Sequence, residues 1–178
     1  CAFVRSRFRI DKVGHAGTLD PMANGVLIVC LGTACKRSSS LMGFDKEYIA
    51  EITFGIETDS GDSAGKILYE KEVEIDEKEL KKTIASFIGE IIQIPPMVSA
   101  LHHNGKRLYE LARDGITVER EGRKINIINI ELLSFTPGKF PKAEILVACS
   151  KGTYIRTLCE DIGKKLGCRA HESRLTRT

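Results

Sequence analysis

The chain has 178 residues, 42% of them hydrophobic, enough for one sizeable core and favouring a single domain with room for an insertion. No stretch approaches the about eighteen apolar residues of a membrane span, and no signal-peptide pattern opens the chain, so a soluble, cytoplasmic protein is expected. The net charge of +3 conceals a segregation: residues 1–50 carry seven bases against four acids, residues 51–100 five against eleven, and residues 101–178 fifteen against nine. Basic ends around an acidic middle, if folding keeps them apart, give phosphates one attractive face and an acidic back that resists unspecific adhesion.

Ala2–Ile10 alternates basic and apolar residues and reads as a short helix. A start without methionine or a first-strand pattern reads as a fragment of a longer chain. From Lys12 to Gly32 the stretch KVGHAGTLDPMANGVLIVCLG sets Asp20 between a Gly-rich approach and an apolar run. Gly14 and Gly17 admit backbone angles closed to other residues and Pro21 biases Asp20 away from helix, so residues 14–21 read as a loop. Val26–Leu31, apolar throughout, reads as a buried strand closed by Gly32. Asp20 is then either a turn residue bonded to its own backbone or a carboxylate held at the mouth of a strand for work outside the core.

Thr33–Met42 reads as a helix with Lys36 and Arg37 outward, and Lys46–Phe54 as a strand with Tyr48, Ala50, Ile52 and Phe54 on one face. Gly55–Gly65 reads as a loop whose acids, Glu57, Asp59 and Asp62, match no calcium spacing and suit a solvated turn. Asp76 with Glu79 makes a capping box, followed by Leu80, Ile84, Phe87 and Ile88 at helical spacing up to Gly89. A Pro pair then opens residues 93–116, where His102, His103, Lys106, Arg107 and Tyr109 precede a short helix ending at Gly115. Basic side chains interleaved with flat rings suit an RNA surface, and equally a solvated hairpin. Arg123–Phe135 and Lys142–Ser150 read as a strand hairpin through TPGKFP. In the helix that follows, Ile155, Leu158, Ile162 and Leu166 form one stripe, with Tyr154 and Arg156 off it at the entrance. An Arg in a first turn opposes the helix dipole, so a partner carboxylate from elsewhere is expected. The closing CRAHESRLTRT reads as a last strand. Six cysteines without C-x-x-C spacing read as reduced thiols, and four histidines lack ligand spacing with them, so no metal is expected.

Taken together, GHAGTLDPMANGVL, DKEYIA, IPPMVSALHHNGKRLYELAR and SKGTYIRTLCEDIGKKLGCRAHESRLTRT resemble the bacterial TruB-type tRNA pseudouridine synthases over nearly the whole chain and in the same order. The resemblance implies an α+β pseudouridine synthase fold, a mixed, mainly antiparallel twisted sheet flanked by helices, with residues 1–178 as its catalytic domain. It implies that the family's first strand and its C-terminal PUA domain lie outside this sequence. Residues 95–116 resemble the thumb-like RNA-binding insertion of the bacterial enzymes, which guide-RNA-dependent relatives lack. The implied substrate is uridine 55 in the T loop of tRNA, the implied enzyme a monomer with no obligatory protein partner, and a folding-helper role for tRNA is compatible with it. The resemblance further marks Asp20 as the catalytic aspartate, Tyr48 as the active-site aromatic, Arg156 as partner of the aspartate, and Leu175 as an apolar wall beside the base. His15 matches a histidine that meets RNA near the flipped nucleotide, and Tyr154 a structural tyrosine. Lys106 and Arg107 fall in the insertion as candidate RNA contacts. The family's Leu-Arg-Arg-Thr is here Leu175-Thr176-Arg177-Thr178, one basic residue fewer.

Pseudouridine formation breaks C1′–N1, turns the uracil and rejoins it through C5, with no redox change and no energy input, so no cofactor is expected. A carboxylate serves it by attacking sugar or base covalently, or by taking a proton on a glycal route. An Arg156 guanidinium beside Asp20 favours its ionised form. A non-catalytic RNA-binding module also accounts for the basic ends, but makes no demand on Asp20. An aspartate phosphotransferase does not fit, since its acid follows an apolar strand and here the apolar run follows the acid.

Overall fold

Alternating apolar positions on three long strands set the centre of the fold, described for residues 1–178 by a computed structural model. In chain order the elements are α1 (Ala2–Phe8), β1 (Val13–His15), β2 (Asn24–Gly25), β3 (Val29–Leu31), a 3-10 turn (Gly32–Arg37) running into α2 (Ser38–Met42), β4 (Lys46–Phe54), β5 (Ile56–Thr58) and β6 (Ile67–Glu70). There follow α3 (Glu77–Ala85), β7 (Gly89–Gln93), β8 (His102–His103), β9 (Lys106–Arg107), α4 (Leu108–Arg113), β10 (Arg123–Thr136), β11 (Lys142–Cys149), α5 (Ile155–Lys165) and β12 (Ala170–Arg177). Six strands form one mixed sheet in the order β2-β12-β4-β11-β10-β7. Only the short β2–β12 pairing is parallel; every other neighbour is antiparallel.

The period-2 pattern places Ala50, Ile52 and Phe54 of β4 and Ala143, Ile145 and Val147 of β11 in the core with essentially no exposure. α3 and α5 touch one another and cover this core, α3 against β10 and α5 against β12 and β4. Asp76 caps α3 by accepting the Glu79 N–H at 2.9 Å, and Leu80 and Ile84 are its buried contacts. On α5 the stripe Ile155, Leu158 and Ile162 is buried as the spacing predicts. No helix is long and apolar enough to cross a membrane.

Several expectations are corrected. The run Val26–Leu31 is not a buried strand: pairing begins only at Val29, Cys30 alone is buried, and Val26 is 54% exposed. Its partner is the three-residue β1, so it forms a small ribbon apart from the main sheet, and residues 26–28 are irregular with no second layer over them. Gly14 and His15 belong to β1 rather than to the loop. Thr33–Met42 divides into the 3-10 turn and a five-residue α-helix. α3 stops at Ala85, leaving Phe87 in the following turn and Ile88 49% exposed, because the chain must reverse into β7, with Gly89 at φ 106°. β7, the outer strand beside β10, is absent from the sequence reading, as is the β5–β6 hairpin. The segment 55–65 is no solvated turn at its centre: Asp62 is buried.

Candidate active site

Asp20 lies on the irregular segment between β1 and β2, and three features of the sequence hold that segment. The Asp20 carbonyl accepts the Ala23 N–H at 2.9 Å, closing a turn around Pro21. Gly25 packs so tightly on the Arg177 backbone that a Cβ would strike the Arg177 carbonyl, and the Val26 N–H donates to that same carbonyl at 2.8 Å. From the other side the buried Arg177 side chain donates through Nε to the Val26 carbonyl at 2.8 Å and through Nη2 to the Gly17 carbonyl at 3.4 Å. The last strand therefore clamps both ends of the Asp20 segment.

Arg156, in the first turn of α5, is 3% exposed, and its guanidinium meets both Asp20 oxygens, Nε in ion-pair contact with Oδ2 at 2.9 Å and Nη2 donating to Oδ1 at 3.1 Å. The planar fork matches the carboxylate edge to edge. Nη1 donates to the Ser60 carbonyl at 3.0 Å and Nη2 also to the Val98 carbonyl at 2.9 Å, with Asp62 Oδ2 in longer ion-pair contact at 3.7 Å from Nη1. Asp62 is itself fixed, accepting from Ser60 Oγ at 2.7 Å and from the Ala64 N–H at 3.0 Å. One buried cation thus ties together four distant segments, and the unfavourable place of Arg156 on its own helix is offset by two carboxylates.

Arg156 acts on Asp20 in the expected direction, against an opposing effect of burial. Burial raises the Asp20 carboxyl above its ordinary value; Arg156 opposes this through charge and hydrogen bonding, while Asp62 adds to the rise. Desolvation outweighs the ion pair here, although 30% of the Asp20 side chain still reaches solvent.

Asp20 opens into a cavity of about 920 Å³. Tyr48 of β4 and Leu175 of β12, neighbouring strands of the main sheet, line it together with Tyr154 and Arg156. Burial raises the phenols of both Tyr48 and Tyr154, so both present neutral hydroxyls at neutral pH. Tyr154 is set by Gln93, whose side-chain amide accepts the Tyr154 N–H at 2.9 Å and donates to its carbonyl at 3.0 Å. Five bases, Lys46, Arg107, Arg113, Arg156 and Arg177, line the same cavity against two acids, Asp20 and Asp59. The acids of residues 70–79 contribute nothing to the wall.

Residues 97–117 supply the opposite wall, through Met97–Ala100, Arg107, Tyr109, Ala112 and Arg113 among others. Leu108 and Leu111 anchor α4 inward, while Arg107 and Arg113 lie 5.9 and 5.5 Å from the Tyr109 ring centre. Lys106 is exposed on β9 and does not line the cavity; nor does His15, which is exposed at the end of β1. His102 and His103 form the other strand of the β8–β9 ribbon.

Asp62, Gln93 and Arg177 escaped the sequence reading as site residues. For Asp62 the signal was faint: Thr58 and Ser60 are hydroxyl residues at spacings that can bond the turn and orient a carboxylate within it. Gln93 carried no local signal, because its partner lies 61 residues away.

Residues 5–155 match the model of the TruB family pseudouridylate synthase N-terminal domain. The chain is 56% identical over 171 residues to tRNA pseudouridine synthase B of Clostridium tetani, covering 96% of this chain and 58% of that protein. It is 47% identical over 180 residues to tRNA pseudouridine synthase B of Pelotomaculum thermopropionicum, covering 98% and 56%. The chain therefore spans somewhat over half the length of these curated relatives. Among solved structures, a Cbf5-Nop10-Gar1 complex matches with a TM-score of 0.75 and 30% identity, covering 99% of this chain and 43% of that one. An H/ACA RNP bound to a substrate RNA containing 2′-deoxyuridine matches with a TM-score of 0.70 and 27% identity, covering 99% and 41%. The α+β fold, the mainly antiparallel sheet and the sequence agree, and the chain belongs to the TruB family of pseudouridylate synthases.

Proposed function

We propose that this chain converts uridine 55 in the T loop of tRNA to pseudouridine, with Asp20 as the catalytic carboxylate. The observation that carries this reading is the Asp20–Arg156 ion pair opening into a basic cavity lined by Tyr48 and Leu175. The relatives' names supply the tRNA substrate, and the RNA-bound H/ACA structure supports a uridine-like nucleotide as ligand of this fold.

The reaction is an isomerisation. The C1′–N1 bond breaks, the freed uracil turns, C5 bonds to C1′, and the C5 proton leaves while N1 gains one, so the atoms and electrons balance without a co-reactant. A uridine inside a stacked loop cannot meet Asp20, so the base must turn outward, at a cost of a few kcal/mol. Tyr48 supplies a flat surface for that base, Leu175 an apolar side, and the cationic rim neutralises the flanking phosphates. Arg156 holds the Asp20 oxygens at a fixed angle, whether the carboxylate attacks covalently or accepts a proton. The enzyme works without a guide RNA or protein partner, in the cytoplasm, and its contact with the T arm also assists tRNA folding.

Release of tritium from C5-labelled uridine in a T-stem-loop RNA tests the reading. Stoichiometric release is expected; binding without release would leave a non-catalytic RNA-binding module.

The insertion has its own test. Reversing the charges of Lys106 and Arg107 should weaken RNA binding and flatten its salt dependence, leaving the single-turnover rate at saturating RNA unchanged. Each lost phosphate contact lowers the slope of log affinity against log salt by about 0.7–0.9. An unchanged slope, measured by filter binding across a salt series, would mean that Lys106 and Arg107 make no phosphate contact.

A further inference from the structure

Glu172 has no role in the site described above, yet it lies at its back. It sits on β12 between His171 and Ser173, with no exposed surface, and neither carboxyl oxygen has a hydrogen-bond partner. Its backbone is fixed from the turn that carries Asp62: the Glu172 N–H donates to the Gly61 carbonyl at 3.0 Å and the Ser63 N–H to the Glu172 carbonyl at 3.0 Å. The strand is irregular immediately after it, two residues of β12 facing one step of β4. The groups around it are Asp20 from the β1–β2 segment, Asp62 from the β5–β6 turn, and Arg156 and Cys159 from α5, while β4 places Ile52 opposite.

Asp20 and Asp62 already face one guanidinium, and the buried Glu172 carboxyl makes no ion pair with it. Nε and Nη2 face Asp20, Nη1 and Nη2 donate to the Ser60 and Val98 carbonyls, and the remaining direction faces Asp62. The second Nη1–H has no acceptor nearer than Asp62 at 3.7 Å, and no ion pair joins Glu172 to Arg156. Two ionised aspartates already exceed its single charge, and a third anion in the same desolvated space has nothing to balance it.

We propose that Glu172 is a positioning residue that enters this cluster as the neutral acid, and that loss of its proton to solvent draws the Arg156 guanidinium away from Asp20. The inference rests on the reading of Asp20 as the catalytic carboxylate. Burial, reinforced by the Asp20 and Asp62 charges and opposed by Arg156, pushes the Glu172 carboxyl up to about 8. The protonated form therefore prevails at neutral pH, and the disruptive form appears on the alkaline side. A carboxyl held neutral by an apolar site is an established device of enzyme sites, where it serves as a donor. Here it limits negative charge.

The test is the pH dependence of single-turnover isomerisation of a T-stem-loop RNA by wild type, Glu172→Gln and Glu172→Val. Wild type should lose about tenfold in rate one pH unit above the Glu172 midpoint, as the neutral fraction falls to about a tenth. Both variants should match wild type near pH 7 and lack that alkaline fall; uridine's own ionisation is common to all three. Superimposable profiles would overturn the proposal. A readout independent of catalysis separates this from failure of the functional reading. In labelled protein without RNA, the Arg156 Nε–H resonance should shift with the midpoint of the Glu172 carboxyl carbon in wild type and stay still in Glu172→Gln. A Glu172 carboxyl titrating in the ordinary glutamate range would overturn the proposal, whereas a mobile Arg156 resonance in a chain without isomerase activity would uphold the coupling and sink the assignment of Asp20.

Discussion

Asp20→Asn is expected to reduce pseudouridine formation by at least about 10⁴-fold, the upper end of what one positioned acid–base group contributes, while leaving tRNA affinity within a few-fold of wild type. On the proposed function the two effects separate, since the carboxylate would act at the reacting base while affinity would come mainly from phosphates met by the cationic rim. Asn keeps the volume and one acceptor oxygen, so the segment clamped by Arg177 should retain its shape. What disappears is the charge and the nucleophilic oxygen. Tritium release under single-turnover conditions, beside filter binding of the same RNA, makes the measurement; near-normal turnover would remove Asp20 from the mechanism. The wild-type pH profile carries a related signature. Burial raises the Asp20 carboxyl, so the acid limb of the rate should lie above the ordinary aspartate range, with activity lost as pH falls through it.

Arg156 is the second position with a large expected effect, and here two properties fail together. Arg156→Ala removes a 3% exposed cation from between Asp20 and Asp62 and leaves two carboxylates facing a cavity without their counter-charge. Breaking one side of a buried pair costs about 3–5 kcal/mol. A fall in unfolding midpoint is therefore expected alongside the loss of turnover. The acid limb should also move to higher pH, because the group that opposes the burial effect on Asp20 is gone. Arg156→Lys separates orientation from charge. Lysine restores the cation but offers a single ammonium in place of the fork, and cannot reproduce contact with both Asp20 oxygens together with the bonds to the Ser60 and Val98 carbonyls. Turnover should remain far below wild type while the acid limb returns toward its wild-type position. Equal pH profiles for Lys and Ala would mean that the charge of residue 156 does not act on Asp20.

Much of the fold was legible in local pattern. Alternation marked β4, the turn TPGKFP between two strand-like runs marked β10 and β11, the 3.6-residue stripe marked α5, and Asp76 with Glu79 marked the start of α3, because each signal lies within one continuous segment. The same rules misread Val26–Leu31, since an apolar run reports a capacity for burial and says nothing of whether another layer covers it. β7 was missed for a related reason: Glu90, Ile91 and Ile92 acquire strand geometry from pairing with Lys124–Asn126, more than thirty residues on.

The site divides along the same line. Asp20 stood out because glycines and a proline around one acid imply an imposed backbone, and Arg156 because a cation at a helix start needs a counter-charge; the motifs around both residues carried the family resemblance. Neither signal could name the other as its partner, 136 residues away. Asp62 read as part of a solvated turn, and nothing in the last strand singled out Glu172. Both are buried because β12 enters between β4 and β2 and brings the 60–63 turn with it. Local propensity follows from bonds and rotamers within a few residues and is written in the chain. Desolvation, and the contest of two carboxylates for one guanidinium, arise only when separate segments exclude water together.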